Sequence, residues 1–490
     1  MRRILHRLLV VVVVLAASLW SLSAATPVVP VEIVDTSALR AAMTATRIRD
    51  HLVALDAIAR TNRGTRAVGT SGYQASADYV RDRLNAAGYQ VSLQQFQVLH
   101  FAETSPPTLK ARRTYQPDTD VRTMTFSGSG SVTATVRPVD LTLPPSLNPS
   151  STSGCEPADF AGFSRGALAL MQRGGCSFVQ KATNAMHAGA AAVLIMNEGQ
   201  PDRQELISGS LVQPGLNLPV LGLSYSAGAE LAGAPDTPVR VVTDVVSDYQ
   251  QTVNVLADGP ADPAGRSSDR VVMVGAHLDS VPEGPGVNDD GSGVAVVLEL
   301  ADQLARLPAV VPRNRIRFAF WGAEELGTLG SEHYVGQLTP EQLSGIAAYL
   351  NFDMLGSPNF VRYVYDGDGS SLGSAGPPGS DAVERIFGEY LSSQGLAYEP
   401  TEFDGRSDYA AFQRAGVPVG GLFSGAEERK TQEQAIRYGG TAGQPQDSCY
   451  HRACDTINNV SEVALEQLGD AAADATLRLL LSSTGPRQIS

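Results

Sequence analysis

Five short stretches of this chain gather histidines and acids among glycines: Gly275-Ala-His277-Leu-Asp279-Ser280, Gly286-Val-Asn288-Asp289-Asp290-Gly291, Trp321-Gly-Ala-Glu324-Glu325-Leu-Gly327, Asn351-Phe-Asp353-Met-Leu-Gly356 and Cys449-Tyr450-His451-Arg-Ala-Cys454-Asp455. On an extended strand His277 and Asp279 point to the same side, so one can bind a metal while the other orients it. The adjacent acids Asp289 and Asp290 read two ways. They form a turn and a helix N-cap, or they supply a carboxylate that bridges two cations in a loop sharpened by glycine. Glu324 and Glu325 offer two carboxylates for two tasks, one binding metal and one acting as base on metal-bound water. Asp353 adds a further acid. A disulfide between Cys449 and Cys454 closes a loop too short to gain much chain entropy, so its use is to fix Tyr450 and His451. Imidazole and carboxylate suit zinc, and two histidines with three carboxylates can serve two ions.

Three of these stretches follow apolar runs. Val271–Val274 reads as a strand buried on both faces, and Ile316–Trp321, Ala347–Phe352 and Val417–Phe423 as further strands. Val294, Val297, Leu298, Ala301 and Leu304 recur at helix spacing. Strands alternating with helices predict an α/β fold with a mostly parallel sheet, in which sites form beyond the carboxyl ends of the strands. Nearer the N-terminus, Tyr73, Ala77, Val80 and Leu84 predict a helix that ends at Gly88, and Val91–Phe96 alternates as a strand does.

From Thr104 to about Asp248 the composition shifts to Ser, Pro, Thr and Gly with short Val and Leu runs. One helical pattern, Ser177–Gly189, interrupts it. This reads as a separate β-rich module, and with His187 its sole histidine it is not expected to hold a metal. The expected division is a leader at 1–25, a first part of the α/β domain at 26–110, an inserted module at 111–248, and the main part of the α/β domain at 249–485. His51, His100 and His333 read as ordinary core or surface residues.

Arg2, Arg3 and Arg7, an apolar run from Leu8, and Ser23-Ala24-Ala25 form the pattern of a cleaved signal peptide. The apolar run falls short of the ~20 residues a membrane span needs, and no cysteine follows it for lipid attachment. Formal net charge is −14, and losing the three leader arginines leaves −17. That disfavours nucleic acid and anionic membranes as partners. Four cysteines in an exported chain fall into two local pairs, Cys155–Cys176 and Cys449–Cys454, which are the expected disulfides.

With these residues in hand, the chain resembles the secreted co-catalytic dizinc aminopeptidases of the aminopeptidase Y and bacterial leucyl aminopeptidase type. The resemblance covers roughly residues 45–100 and 250–480 and rests on AHLDSVPEGPGVNDDGSG, FWGAEELG, LNFDMLGS and CYHRACDT. It implies the zinc exopeptidase fold, with His277 and Asp353 on one zinc, Glu325 and His451 on the other, and Asp289 bridging both. It also implies Glu324 as general base and Asp279 as the partner that orients His277. The stretch between resembles a protease-associated (PA) domain, through Gly154–Phe160, Met171–Phe178 and Ala185–Ala192.

On that pattern Glu324 takes a proton from a water shared by two zinc ions and passes it to the leaving amine, with the Tyr450 hydroxyl helping to stabilise the oxyanion. By the same resemblance Arg406 contacts substrate; an ion pair with Asp404 or Asp408 is the other reading. The expected protein is a secreted, monomeric aminopeptidase acting on peptides or proteins with a free N-terminus. It carries two Zn2+, and no motif marks a calcium site. The rivals are a dizinc carboxypeptidase, which needs a basic pocket; a single-zinc glutaminyl cyclase; and a non-catalytic receptor-like scaffold, which is expected to have lost ligands.

Overall fold

The apolar run that begins at Val271 forms a middle strand of a large mixed sheet in the computed structural model, which describes residues 34–260, 268–307 and 312–488. The expected leader lies outside the described residues. From Thr36 onward the chain forms one unit. Its strands, in chain order, are β1 Gln90–Lys110, β2 Val121–Thr123, β3 Gly130–Pro138, β4 Leu168–Gln172, β5 Ala192–Met196, β6 Val220–Leu223, β7 Pro238–Asp258, β8 Val271–His277, β9 Arg315–Trp321, β10 Ile346–Phe352, β11 Tyr363–Tyr365, β12 Glu399–Thr401 and β13 Val419–Phe423.

β9, β8, β10 and β13 run parallel and adjacent, as their nearly continuous burial requires. Their carboxyl ends therefore open on one edge. β7 and β11 flank this group antiparallel, with β1 and β12 outside them. The helix Gly291–Arg306 begins just beyond β8 and is buried over most of its length. It packs with the helices Ala45–Thr61, Ser71–Ala86 and Glu462–Leu481. The expected first helix is Ser71–Ala86, and Tyr73, Ala77, Val80 and Leu84 are its buried face. Across the sheet, Trp321, Tyr349 and Phe412 form an aromatic core in which the Tyr349 and Phe412 rings stack at 4.1 Å.

The second sheet region builds the inserted module. β3, β4, β5 and β6 are parallel, and β2 closes the edge antiparallel. The expected helix is Phe178–Ala188, capped by Ser177 and ended by left-handed Gly189. A second helix, Tyr225–Ala232, had no clear sequence signal. Apolar clusters fill both faces of this sheet. The module joins the main sheet through one device. β1 and β7, each 21 residues long, form an antiparallel ribbon from Gln90↔Asp258 to Lys110↔Arg240, with two register slips between Glu103 and Thr108. The strand expected at Val91–Phe96 is only its first part.

Candidate metal centre

The parallel strands bring three of the five stretches to one edge. His277 ends β8, the turn after β9 carries Glu324 and Glu325, and Asp353 follows β10. Asp289 comes from the loop ahead of the helix Gly291–Arg306, and His451 from the loop closed by the Cys449–Cys454 disulfide. His277 Nε2 lies 3.1 Å from Asp289 Oδ1 and 3.6 Å from Asp353 Oδ1. His451 Nε2 lies 3.1 Å from Asp289 Oδ2 and 3.1 Å from Glu325 Oε2. The two oxygens of Asp289 thus face two different imidazoles, each beside one further carboxylate. Glu324 stands apart, with Oε2 3.9 Å from His277 Nε2. Three turns here hold non-glycine residues in the left-handed region, Ala323 (φ 61°), Met354 (φ 59°) and His451 (φ 56°). Such backbone costs roughly 1 kcal/mol or more per residue and persists where the surroundings impose it.

The donor set fits zinc. A tetrahedral ion with bonds of about 2.0–2.1 Å sets its ligand atoms roughly 3.3 Å apart, and the spacings above bracket that value. Asp289 Oδ2 and Glu325 Oε1 are buried and receive no hydrogen bond, which is costly unless a cation satisfies them. The electrostatics agree. Burial pushes Glu325 up to about 7, the Asp289 charge adds to this, and His451 opposes it. Glu324 is raised well above the usual range by burial and by Asp353, Asp408 and Glu325. Burial disfavours charged imidazoles, yet the surrounding acids drive His277 well above its ordinary value and His451 up to about 10. Burial also works against Asp289, but the two histidines hold it below the usual carboxylate range. The pocket gathers more negative charge than its own side chains offset.

Of the two readings of the Asp289–Asp290 pair, the cap falls to Asp290, while the Asp289 oxygens face the two imidazoles. Asp290 is the N-cap of the helix Gly291–Arg306 and accepts the amides of Gly293 at 2.9 Å, Met354 at 2.9 Å and His277 at 3.0 Å. It lies close enough to His277 and Asp353 to join a metal, but these three amides occupy its oxygens. Asp279 accepts the amides of Glu324 at 3.1 Å and Glu325 at 3.3 Å, while its own carbonyl lies 3.1 Å from His277 Nδ1. Its carboxylate is 3.8 Å from that nitrogen.

Other residues that build the centre escaped sequence reasoning. Asp455 accepts the amides of Asn288 and Asp289. Fully buried Arg66 donates to the carbonyls of Leu278, Pro285 and Gly286, locking the two loops that carry His277 and Asp289. Ser407 donates to Asp353 Oδ2 at 2.5 Å and receives Asn351 Nδ2, part of a buried chain reaching Tyr349 and Trp321. Asp408 is 1% exposed with neither oxygen hydrogen-bonded, and burial raises it to about 7. Asp455, Asn351 and Trp321 lie inside the quoted motifs and Asp408 was weighed only as a partner for Arg406, whereas Arg66, Ser407 and Tyr349 carried no signal.

The centre opens into a cavity of about 340 Å3 with aromatic walls from Tyr363, Tyr365 and Phe423. Tyr450 stacks on His451 with ring centroids 3.9 Å apart, and its hydroxyl accepts Arg406 Nη2 at 3.1 Å. The Arg406 guanidinium pairs with Glu427 at 3.0 Å and Glu428 at 3.9 Å; Asp404 accepts only its backbone amide. His51 lies between Tyr79 and Glu299, His100 beside Asp248, and His333 stacks on Phe96. The acids near His51 already have partners, Glu299 in Gln303 and Asp302 in Arg83.

Fold and centre together define a two-metal hydrolase. Residues 254–476 match the model of Peptidase family M28, and residues 136–231 match that of the PA domain. An aminopeptidase of Pseudomonas aeruginosa (strain UCBPP-PA14) is 48% identical over 445 residues, covering 90% of this chain and 81% of that one. A probable leucine aminopeptidase 2 of Aspergillus fumigatus is 36% identical over 430 residues, covering 87% and 81%. Among solved structures, a zinc aminopeptidase from Bacillus subtilis superposes with a TM-score of 0.63 at 25% identity, covering 91% of this chain and 97% of that one. The chain belongs to Peptidase family M28 and carries an inserted PA domain.

Proposed function

We infer that this chain is a zinc-dependent aminopeptidase that removes the N-terminal residue from peptides, with His277, Asp289, Glu325, Asp353 and His451 holding two zinc ions. The observation that carries this is the Asp289 carboxylate, whose two oxygens each face a separate imidazole and acid. Bound there, two zinc ions supply Lewis acidity, polarising the scissile carbonyl and making water more acidic. Glu324 is the free carboxylate at the cavity. It takes the proton from the attacking water and returns it to the leaving amine. Tyr450 keeps its own proton to donate, because its oxygen accepts from Arg406, and it offers that proton to the carbonyl oxygen as charge develops. Arg406 positions Tyr450. Asp279 positions His277 and the Glu324–Glu325 turn.

The sign of the pocket favours an amine over a carboxylate at the substrate terminus. Arg406 is the one Lys or Arg among the described lining residues, and it is paired with Glu427, whereas Glu402, Asp404 and Glu428 also line the cavity. A carboxypeptidase site needs the opposite. The ligand set is complete, which disfavours a receptor-like scaffold. All these residues come from one chain, so a monomer suffices. Two disulfides support export as the setting, and no described helix is long and apolar enough to cross a membrane. The division of the chain at about 110 and 248 is part of the same reading, supported by a ribbon whose outer end reaches Lys110.

The test is a leucyl anilide beside its N-acetylated counterpart, with zinc content measured. Two zinc per chain, cleavage of the free amine alone, and loss of turnover on chelation are expected. Chelator-resistant cleavage, or equal cleavage of the blocked substrate, sinks the reading.

A further inference from the structure

We propose that the Cys155–Cys176 disulfide of the inserted domain is a thiol-exchange site, in which an incoming thiolate attacks Cys176 Sγ and Cys155 leaves as a thiolate against the Lys181 ammonium. Lys181 is fully buried on the helix Phe178–Ala188. Its Nζ donates to the carbonyl of Ser153 and lies 3.5 Å from Cys155 Sγ. Among the described residues no carboxylate touches it; Asp159, Glu198 and Asp140 act only through space, and burial brings its proton affinity down to about 8. A buried ammonium is costly without a partner, and the strongest partner within reach is negative charge on that sulfur. A cation beside a sulfur lowers the pKa of the corresponding thiol, and a thiol of lower pKa leaves faster in exchange. The asymmetry decides direction: the ammonium touches Cys155, so Cys155 departs and Cys176 is attacked.

The loop around Cys155 is held by hydrogen bonds as well as by the disulfide. Gln180 Nε2 donates to the Cys155 carbonyl at 2.8 Å, and Asn184 Nδ2 donates to the carbonyls of Cys155 at 2.9 Å and Gly154 at 3.1 Å. With Lys181 on Ser153, one helix face grips three successive carbonyls, so opening the disulfide leaves the segment docked and ready to re-form it. Both cysteines are partly exposed, so a small thiol can reach them. With glutathione thiolate as the co-reactant the step balances. The glutathione sulfur bonds to Cys176, the Cys155–Cys176 bond breaks, and its electron pair stays on Cys155 beside Lys181. A second glutathione releases the mixed disulfide as oxidised glutathione and leaves two thiols.

The zinc-loaded full chain, incubated with glutathione, acid-quenched, alkylated and mapped by mass spectrometry, tests this. Cys155–Cys176 is expected to open before Cys449–Cys454, with glutathione on Cys176 and the alkyl label on Cys155. Lys181→Met is expected to slow opening by about tenfold. Glutathione on Cys155 in the wild-type chain, earlier opening of Cys449–Cys454, no opening at either bond, or an unchanged rate in a folded K181M overturns the proposal. The position of the label in the wild-type chain decides the direction of attack even if K181M does not fold.

Discussion

Replacing Asp290 with Asn removes one oxygen from a residue that joins three segments of the centre. Its carboxylate holds the amides of His277, Gly293 and Met354, so the end of β8, the start of the helix Gly291–Arg306 and the turn after β10 meet on it. Asn keeps the oxygen that serves Gly293 and Met354 and turns its NH2 toward the His277 amide. One charge-assisted hydrogen bond is lost, about 1.5–3 kcal/mol, and a buried N–H is left unsatisfied, about 1–3 kcal/mol more. Part of this is offset, because the neutral side chain no longer places a charge in a buried position beside Asp353, the causes that push Asp290 well above its ordinary range. The net expectation is a loss of about 2–4 kcal/mol of stability and a zinc affinity roughly 10–100-fold weaker, as for residues that orient metal ligands. Denaturant melts with and without zinc read the first, and competition against a chromogenic chelator reads the second. Wild-type values in both would refute the account of how His277 and Asp353 are held in register.

Glu324→Gln is expected to retain two zinc per chain and lose roughly 10²–10⁴-fold in kcat; a wild-type rate on leucyl anilide removes Glu324 as base. In the metal-free chain, burial lifts Glu325, Asp408 and Asp455 to about 7 from ordinary values of 4.5, 3.8 and 3.8. Carboxyls raised in the folded state stabilise most below their unfolded values and lose that contribution as pH rises through the folded ones. The metal-free Tm is therefore expected to fall between about pH 4 and pH 7, and bound zinc to flatten that fall; a metal-free Tm that rises over the range contradicts the charge arrangement. Replacing Cys449 and Cys454 by Ser closes no loop, and because the natural loop spans only five residues the stability loss should stay under about 3 kcal/mol. Zinc affinity should fall further than that loss explains, since His451 and the Tyr450 stacked on it both sit in that loop and His451 is 40% exposed. Unchanged affinity would assign the disulfide to stability alone.

The residues proposed as ligands were legible because their chemistry is local. His277, Glu324–Glu325 and Asp353 each follow an apolar run, and period and burial alone place such residues at the carboxyl edge of a parallel sheet. Asp289 and Asp290 were harder. Their neighbours in sequence suit a cap and a metal bridge equally, and the amide of Gly293 together with those of His277 and Met354 from other segments assigns Asp290 to the first. Arg66 was invisible for the same reason. It sits in a plain turn after the helix Ala45–Thr61 and acquires its role from carbonyls more than 200 residues distant. The partner of Arg406 also lay out of reach, since Glu427 is brought to it by the chain beyond β13. The composition shift near Thr104 marked the insert, but strands that cross such a shift carry no signal of their own, so the full length of β1 was not apparent.

That length has a mechanical consequence. A module tied on by two slack tethers can tumble independently, but one carried on a paired 21-residue ladder has its orientation set by the hydrogen bonds of that ladder. The register slips between Glu103 and Ser105 and between Ser105 and Thr108 fall where β7 is paired on its other edge with β3, so the weakest part of the ladder is braced by a third strand. From Gln90 to Glu103 the pairing runs without a slip, so the spacing between insert and main sheet is set by backbone hydrogen bonds and not by a loose linker.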